Sequence, residues 1–305
     1  MSSELVRNFN NTFITFVEVD SKRFMEIHSE LVREVKGGHN CMIETKKLVP
    51  PLKWAGGKRW LVSHLKPLWA PYQHRRFVEP LCGGLGMCIG LKPKRALLND
   101  INPHVINFYR WLQKGLVVSL NMQNDEKVYY AYRQLFNELI RSEETADSRE
   151  TAELFYYLNR TGYNGLCRFN KKGEFNVPFG RYKRINYAED FLEYQGLFSE
   201  WEFTAGDFAE IDLLEDDFVY ADPPYDVEFT QYAKDDFAWE DQVRLAEWLS
   251  THSGPVIISN QATERIVSLY KQLGFELEFL EAPRRISCTG DRTPVLEVLA
   301  FKGLG

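Results

Sequence analysis

The chain has 305 residues, 44% of them hydrophobic and 26% charged, with a formal net charge of −6. These proportions are ordinary for a globular protein, and the length suffices for a large α/β domain or for a core domain carrying a substantial insertion. No apolar run approaches the roughly 20 residues that span a bilayer, so no membrane partner is expected and the chain reads as cytoplasmic. Five cysteines without a CxxC pair argue against a zinc site and a disulfide framework, and no metal is expected.

Residues 1–49 carry seven acids, seven bases and no recognisable motif, and read as an N-terminal extension of unknown role. The next segment, Leu52-Lys53-Trp54-Ala55-Gly56-Gly57-Lys58, offers a tryptophan for stacking or sulfonium contact and a lysine for a carboxylate. A short strand at Phe77-Val78-Glu79 runs into Pro80-Leu81-Cys82-Gly83-Gly84-Leu85-Gly86, where glycines let a backbone approach a ligand closely. A second strand, Ala96-Leu97-Leu98, ends in Asn99-Asp100, which places an acid 21 residues after Glu79, in reach of a ribose or adenine edge. By itself the turn suits a nicotinamide or a flavin as well as S-adenosylmethionine (AdoMet). Together with Trp54 and Lys58 it favours a cofactor that is both nucleoside and amino acid, as AdoMet is.

Residues 103 to 160 read as helices, and Arg160 to Arg184 carries the turn signals of a hairpin or loop, too much for one crossover. Between Leu158 and Ile185 stand Arg160, Arg168, Lys171, Lys172, Arg181, Lys183 and Arg184 against the single acid Glu174, whereas Asp190 to Asp222 holds eleven acids and no base. Such segregation gives a face for a polyanion that the net charge conceals. The interleaved Tyr157, Tyr163, Phe169, Phe175, Phe179 and Tyr182 suggest contacts to unstacked bases as well as phosphates. The αβ rhythm then resumes. Strands are expected at Glu202–Thr204, Phe218–Tyr220, Val256–Ile258, Phe275–Leu280 and Val295–Phe301, with helices near Glu240–Ser250 and Thr263–Leu273.

The strand ending in Ala221 delivers Asp222-Pro223-Pro224-Tyr225 at its carboxyl end, where open α/β sheets bind ligands. Two prolines fix φ and remove two donors, which leaves carbonyl acceptors in a rigid loop. An amine attacking a methyl sulfonium needs such acceptors, and Asp222 with the Pro223 carbonyl supplies two. Tyr225 can stack on a base held outside the duplex, since chemistry on a base edge requires flipping it out. Asp226 to Trp239 is a candidate loop closing over that base.

At this point the sequence resembles the Dam-type DNA adenine methylases. The resemblance runs from about residue 50 to the end and rests on LKWAGGK (52–58), FVEP with its glycine turn (77–86), NDIN (99–102), NRTGYNGLCRFNKKGEFNVPFGRYK (159–183), DPPY (222–225) and SNQ (259–261). It implies that Trp54, Lys58, Asp100 and Asp222 contact AdoMet, with Glu79 and Gly83 of the strand and turn joining the cofactor set. Asp222, Pro223 and Tyr225 form the catalytic set. Tyr163, Asn164, Leu166, Arg168, Pro178 and Tyr182 become the DNA-binding set, with Arg168 suited to a guanine edge and GATC as the implied site. The family implies a monomer acting on double-stranded DNA in the nucleoid and releasing S-adenosylhomocysteine. Leu81 and Gly83-Gly84-Leu85-Gly86 depart from the Phe and Gly-x-Gly that many relatives carry after Glu-Pro.

The fold class expected is α/β: a Rossmann-like AdoMet-dependent methyltransferase sheet with an inserted, mainly helical target-recognition domain. Residues 50–102 and 191–305 form the catalytic part and 103–190 the insert. Two rival classes stay open: amino methylation of cytosine N4, RNA or a protein amide, and a non-catalytic DNA-binding regulator. An aspartate opening the tetrad favours adenine, and an intact Asp222 and Tyr225 favour an enzyme.

Overall fold

The computed structural model describes residues 48–226, 237–282 and 295–305. Most of the N-terminal extension, most of the candidate loop at 226–239, and Cys41 and Cys288 lie outside the described residues.

Seven strands form one sheet: β1 (Phe77–Glu79), β2 (Ala96–Asp100), β3 (Trp201–Ala205), β4 (Phe218–Ala221), β5 (Val256–Gln261), β6 (Glu276–Ala282) and β7 (Val295–Lys302). Their order is β3-β2-β1-β4-β5-β7-β6, with β1 to β5 mutually parallel and β7 antiparallel between β5 and β6. The elements expected from hydrophobic patterning all form, within one to three residues at their ends, β5 running on to Gln261. β1, β2 and β4 are buried throughout, as strands covered on both faces must be, which is why they read as short apolar runs rather than as alternations.

Eight α-helices are described: α1 (Val62–Trp69), α2 (Gly86–Leu91), α3 (Pro103–Gln113), α4 (Glu126–Arg141), α5 (Arg149–Thr161), α6 (Leu192–Phe198), α7 (Trp239–Ser250) and α8 (Glu264–Gln272). Asn102, Asp125 and Ser148 cap α3, α4 and α5 by accepting backbone N–H bonds from the first turn. α3 lies on the sheet: Arg110 donates to the Phe203 carbonyl of β3, and Tyr109 donates to the Gly83 carbonyl of the turn after β1. α4 and α5 pack outward from it, so their apolar faces continue the core that covers one side of the sheet. None of the described helices is long and apolar enough to cross a membrane.

The aromatic residues of the basic stretch serve mainly this core, contrary to the expectation that they face bases. Tyr157 and Phe175 are buried, Phe169 stacks on His104 with ring centroids 5.2 Å apart, and Phe179 meets Tyr129 at 5.5 Å. Burying these rings is worth more than leaving them in water, and a helical layer outside the sheet supplies the place. Tyr163, at 49% exposure, is the large exception.

Two devices fix β1 against β4. At their entry Arg76 forms a two-pronged pair with the fully buried Asp217, Nη2–Oδ2 2.7 Å and Nε–Oδ1 3.0 Å. Beside it Trp69, Phe77 and Phe218 form an aromatic cluster, with Trp69 4.9 Å from Phe218 and 5.2 Å from Phe77 between centroids. Phe77 therefore stands opposite Phe218, and the two strands reach the other edge of the sheet in register. Phe218→Ala should cost roughly 3–5 kcal/mol through lost burial and the cavity left behind. Urea unfolding checks this, and a wild-type midpoint would contradict it.

Candidate active site

The sheet delivers carboxylates to its carboxyl edge. β1 ends in Glu79, β2 ends in Asp100, and β4 leads directly into Asp222. The strand order reverses between β1 and β4, the place where open α/β sheets leave a crevice for ligands.

A buried cation meets the last of these acids. Lys58 is 3% exposed, and its Nζ lies 3.0 Å from Asp222 Oδ1, 3.2 Å from Glu297 Oε1 and 2.9 Å from the Tyr225 hydroxyl. Tyr225 in turn donates to Glu297 Oε1, and its ring centroid is 4.3 Å from the ammonium. Burial works against a charged lysine here, yet Asp222 and Glu297 outweigh it and hold Lys58 above the usual lysine range.

Asp222 is oriented through one oxygen. Lys58 and the Ser259 hydroxyl of β5, 2.9 Å away, both meet Oδ1, while Oδ2 takes no bond from the described residues. Ser259 is itself held by Tyr220 at 2.9 Å. The prolines are fixed from the other side: Asn260 donates to Gln242 Oε1 at 3.0 Å, and Gln242 donates to the Pro224 carbonyl at 2.7 Å. Among the described residues nothing donates to the Pro223 carbonyl. Asp226 closes the segment through Arg265 and the Thr263 hydroxyl of the α8 N-terminus.

On the neighbouring strands, Glu79 is buried and its Oε1 has no partner among the described residues. Burial, then the nearby Asp222 charge, pushes its carboxyl well above the usual range against one bond from the Cys88 N–H. Asp100 accepts from the Gly83 N–H at 3.0 Å and the Asn102 N–H at 2.9 Å, and burial raises it too. The glycine turn owes its composition to Trp54. A Cβ on Gly83 would sit 2.6 Å from Trp54 Nε1, and one on Gly84 2.5 Å from Trp54 Cβ, so the indole lies directly on the turn. Gly83 also has a left-handed φ of +45°.

The candidate DNA residues occupy the loop after α5. Tyr163 and Asn164 are exposed in a tight turn, with Asn164 at φ 52°, and the Tyr163 N–H donates to the exposed Pro178 at 2.9 Å. Leu166 and Arg168 are partly buried, and Arg168 Nε donates to Asn176 Oδ1 across the hairpin at 2.7 Å. Tyr182 is taken up internally: its hydroxyl donates to the Gly162 carbonyl at 3.0 Å, and Lys53 Nζ lies 3.8 Å from its ring. Lys53 ties this loop to the segment before α1. Its N–H and C=O pair with the Asn159 side chain, each at 2.8 Å, and its Nζ donates to the Arg160 carbonyl at 2.8 Å. Burial, then the charge of Arg160, lowers Lys53 to about 8.

The family model for D12 class N6 adenine-specific DNA methyltransferases matches residues 54–286. The chain belongs to this family. The retron Ec67 DNA adenine methylase of Escherichia coli is 36% identical over 267 residues, 83% of this chain and 90% of that protein. The DNA adenine methylase of Vibrio cholerae is 37% identical over 276 residues, 82% and 94% of the two chains. That of Escherichia coli strain K12 is 35% identical over 272 residues, again 82% and 94%. Among solved structures, a putative class I S-adenosylmethionine-dependent methyltransferase from Listeria monocytogenes overlaps 90% of this chain and 67% of its own, with a TM-score of 0.38 and 9% identity.

The sequence reading of this D12 class methyltransferase missed Glu297, Gln242 and the exposed Ile101, and gave no role to Ser259. Glu297 did leave a trace, as a lone acid between Leu296 and Val298-Leu299-Ala300 in an otherwise apolar strand. Ile101, 68% exposed beside Asp100, is an apolar surface at the mouth of the crevice. Gln242 left no local signal, being one polar residue on an amphipathic helix.

Glu79 provides a pH test. Its folded pKa is raised above the unfolded value of about 4.3, so its neutral form costs the fold nothing at low pH. As pH rises from the unfolded toward the folded pKa, the unfolded chain releases the proton first and the fold loses stability. The stability of Glu79→Gln should therefore gain on the wild type between pH 4.5 and pH 8 in urea titrations. A gap constant with pH would count against the assignment.

Proposed function

We propose that the chain transfers a methyl group from AdoMet to the N6 amine of an adenine held out of duplex DNA, within GATC. The observation that carries this reading is the state of Asp222: Oδ1 is tied by Lys58 and Ser259, while neither Oδ2 nor the Pro223 carbonyl takes a bond from the described residues. Two acceptors fixed in a rigid loop suit the two hydrogens of an exocyclic amine. Holding both turns the nitrogen lone pair out of the ring plane toward an electrophile.

The crevice also favours one cofactor over the others that a glycine turn admits. Asp222 and Glu297 pair with the buried Lys58 ammonium, Glu79 lies in the field of Asp222, and its Oε1 has no partner among the described residues. A ligand bearing a sulfonium and an ammonium complements that charge, whereas the pyrophosphate of a nicotinamide or flavin dinucleotide would be repelled. The residues present therefore fit AdoMet. Trp54, Lys58, Glu79, Gly83, Asp100 and Asp222 would hold it, with Ile101 offering an apolar contact to its base.

AdoMet, when bound, supplies a methyl carbon activated by the positive sulfur. The chain's residues do the rest. Asp222 Oδ2 and the Pro223 carbonyl orient the amine, Asp222 accepts the proton that the methylated nitrogen sheds, and Tyr225 provides the face against which the base stacks. Displacement at such a carbon needs no Lewis acid, so activity is expected to survive a chelator. The basic loop after α5 supports DNA as the acceptor, with Tyr163 the aromatic positioned to enter the duplex and Arg168 the reader of a guanine edge.

Labelled AdoMet offered with duplexes that carry or lack GATC tests the reading, and transfer is expected to the first alone. Equal labelling of both would overturn the GATC assignment, and labelling of neither would overturn the acceptor. Asp222→Ala should lower transfer by more than about 100-fold while duplex affinity stays near wild type. Arg168→Ala should cost roughly 1–3 kcal/mol of discrimination at one guanine, read from transfer to singly substituted sites.

A further inference from the structure

We propose that Glu297 is a positioning residue for methyl transfer, acting from β7 through Lys58 and Tyr225 on the placement and acceptor strength of Asp222. The proposal rests on the roles given above to Asp222 and Tyr225, and it extends them to a residue outside every motif in the sequence.

Three observations support it. Glu297 is 1% exposed, yet it sits at the carboxyl edge of the parallel strands, because β7 runs antiparallel and pairs Glu297 with Gln261 at the end of β5. Its Oε1 receives both the Lys58 ammonium at 3.2 Å and the Tyr225 hydroxyl, while Oε2 has no partner. Lys58 is shared: Asp222 at 3.0 Å and Glu297 at 3.2 Å stand at nearly equal range.

The sharing has a chemical consequence. An ammonium paired with Asp222 alone would withdraw negative charge from the carboxylate that must accept the amine hydrogen. Glu297 draws part of that field to itself, so Asp222 is oriented without being neutralised. The phenol is fixed by the same atom. A tyrosine held by its hydroxyl at the back of the site presents its ring to a base in one orientation, and misplacement of a stacked reactant by about 1 Å can cost roughly 100-fold in rate. Burying a second carboxylate is unfavourable unless it is paired, and Lys58 provides that pairing.

The test is single-turnover methylation of a GATC duplex by Glu297→Gln, Tyr225→Phe and the double variant, with rates taken per bound complex. Glu297→Gln keeps the shape and one acceptor but removes the charge. It should slow the single-turnover rate roughly 10- to 100-fold while the AdoMet KM and the duplex Kd stay within about threefold. Tyr225→Phe keeps the ring but loses the tether, and should also slow the step. The double variant should lose less than the product of the two single losses, because both changes weaken the same Tyr225–Glu297 contact.

A merely structural glutamate would lower the fraction of active protein and leave the rate per complex unchanged, and that result would overturn the proposal. Should Glu297→Gln fail to fold, a wild-type rate for Tyr225→Phe would overturn it equally. The parent reading is tested separately: an active Asp222→Ala would remove the basis for both, whereas an inactive Asp222→Ala beside a fully active Glu297→Gln would sink this proposal alone.

Discussion

A buried ammonium organises the site. Lys58 lies among Asp222, Tyr225 and Glu297, and it joins the segment before α1, the loop after β4 and a residue of β7. Taking such a charge out of water costs several kcal/mol, and only carboxylates at hydrogen-bond range offset that cost. The arrangement is therefore mutual: without Lys58 the acids would be unpaired in a buried crevice, and without the acids the lysine would not stay charged. Register between β1 and β4 is the precondition. The Arg76–Asp217 pair and the Trp69, Phe77 and Phe218 cluster at one end of these strands bring Glu79 and Asp222 to the other, close enough for the charge of Asp222 to act on Glu79.

The excess of carboxyl groups over ammonium groups has a further consequence. Burial, then the charge of Asp222, pushes the Glu79 carboxyl in the crevice well above the usual carboxylate range. A proton is then a stand-in for a cationic ligand, and binding of a sulfonium and ammonium group in its place favours proton release. Cofactor affinity and the protonation of the crevice are thus linked by the same electrostatics that selects the cofactor.

The loop after α5 meets the proposed cofactor end at two points. Asn159 clasps the backbone of Lys53, next to Trp54, and Asn102, which follows Asp100 closely, donates to Cys167 Sγ at 3.4 Å. Close packing at the first point leaves no room for a side chain on Gly165, where a Cβ would lie 2.3 Å from Lys53 Cβ. The proposed DNA-reading loop and the proposed cofactor segment are thereby built against each other. The basic stretch between Leu158 and Ile185 combines two features: most of its rings knit the helical layer to the sheet, while Lys171, Lys172, Arg181, Lys183, Arg184 and Tyr163 are exposed.

Much of this was legible in the chain itself. Strand and helix positions follow from apolar periodicity over a few residues, and the Asp222–Tyr225 tetrad declares its place because a strand ending in two prolines has few other uses. Trp54, Lys58, Glu79, Asp100 and Asp222 were each singled out locally, and the fold brings their segments to one edge of the sheet. Tertiary structure alone decided which aromatic residues of the basic stretch are core, because burial depends on what packs opposite and not on the neighbours in sequence. It alone decided that the glycines of the turn make room for Trp54. It alone brought Glu297 from the last strand to Lys58, where two carboxylates meet one ammonium, since Coulomb interactions act through space between residues more than 200 positions apart.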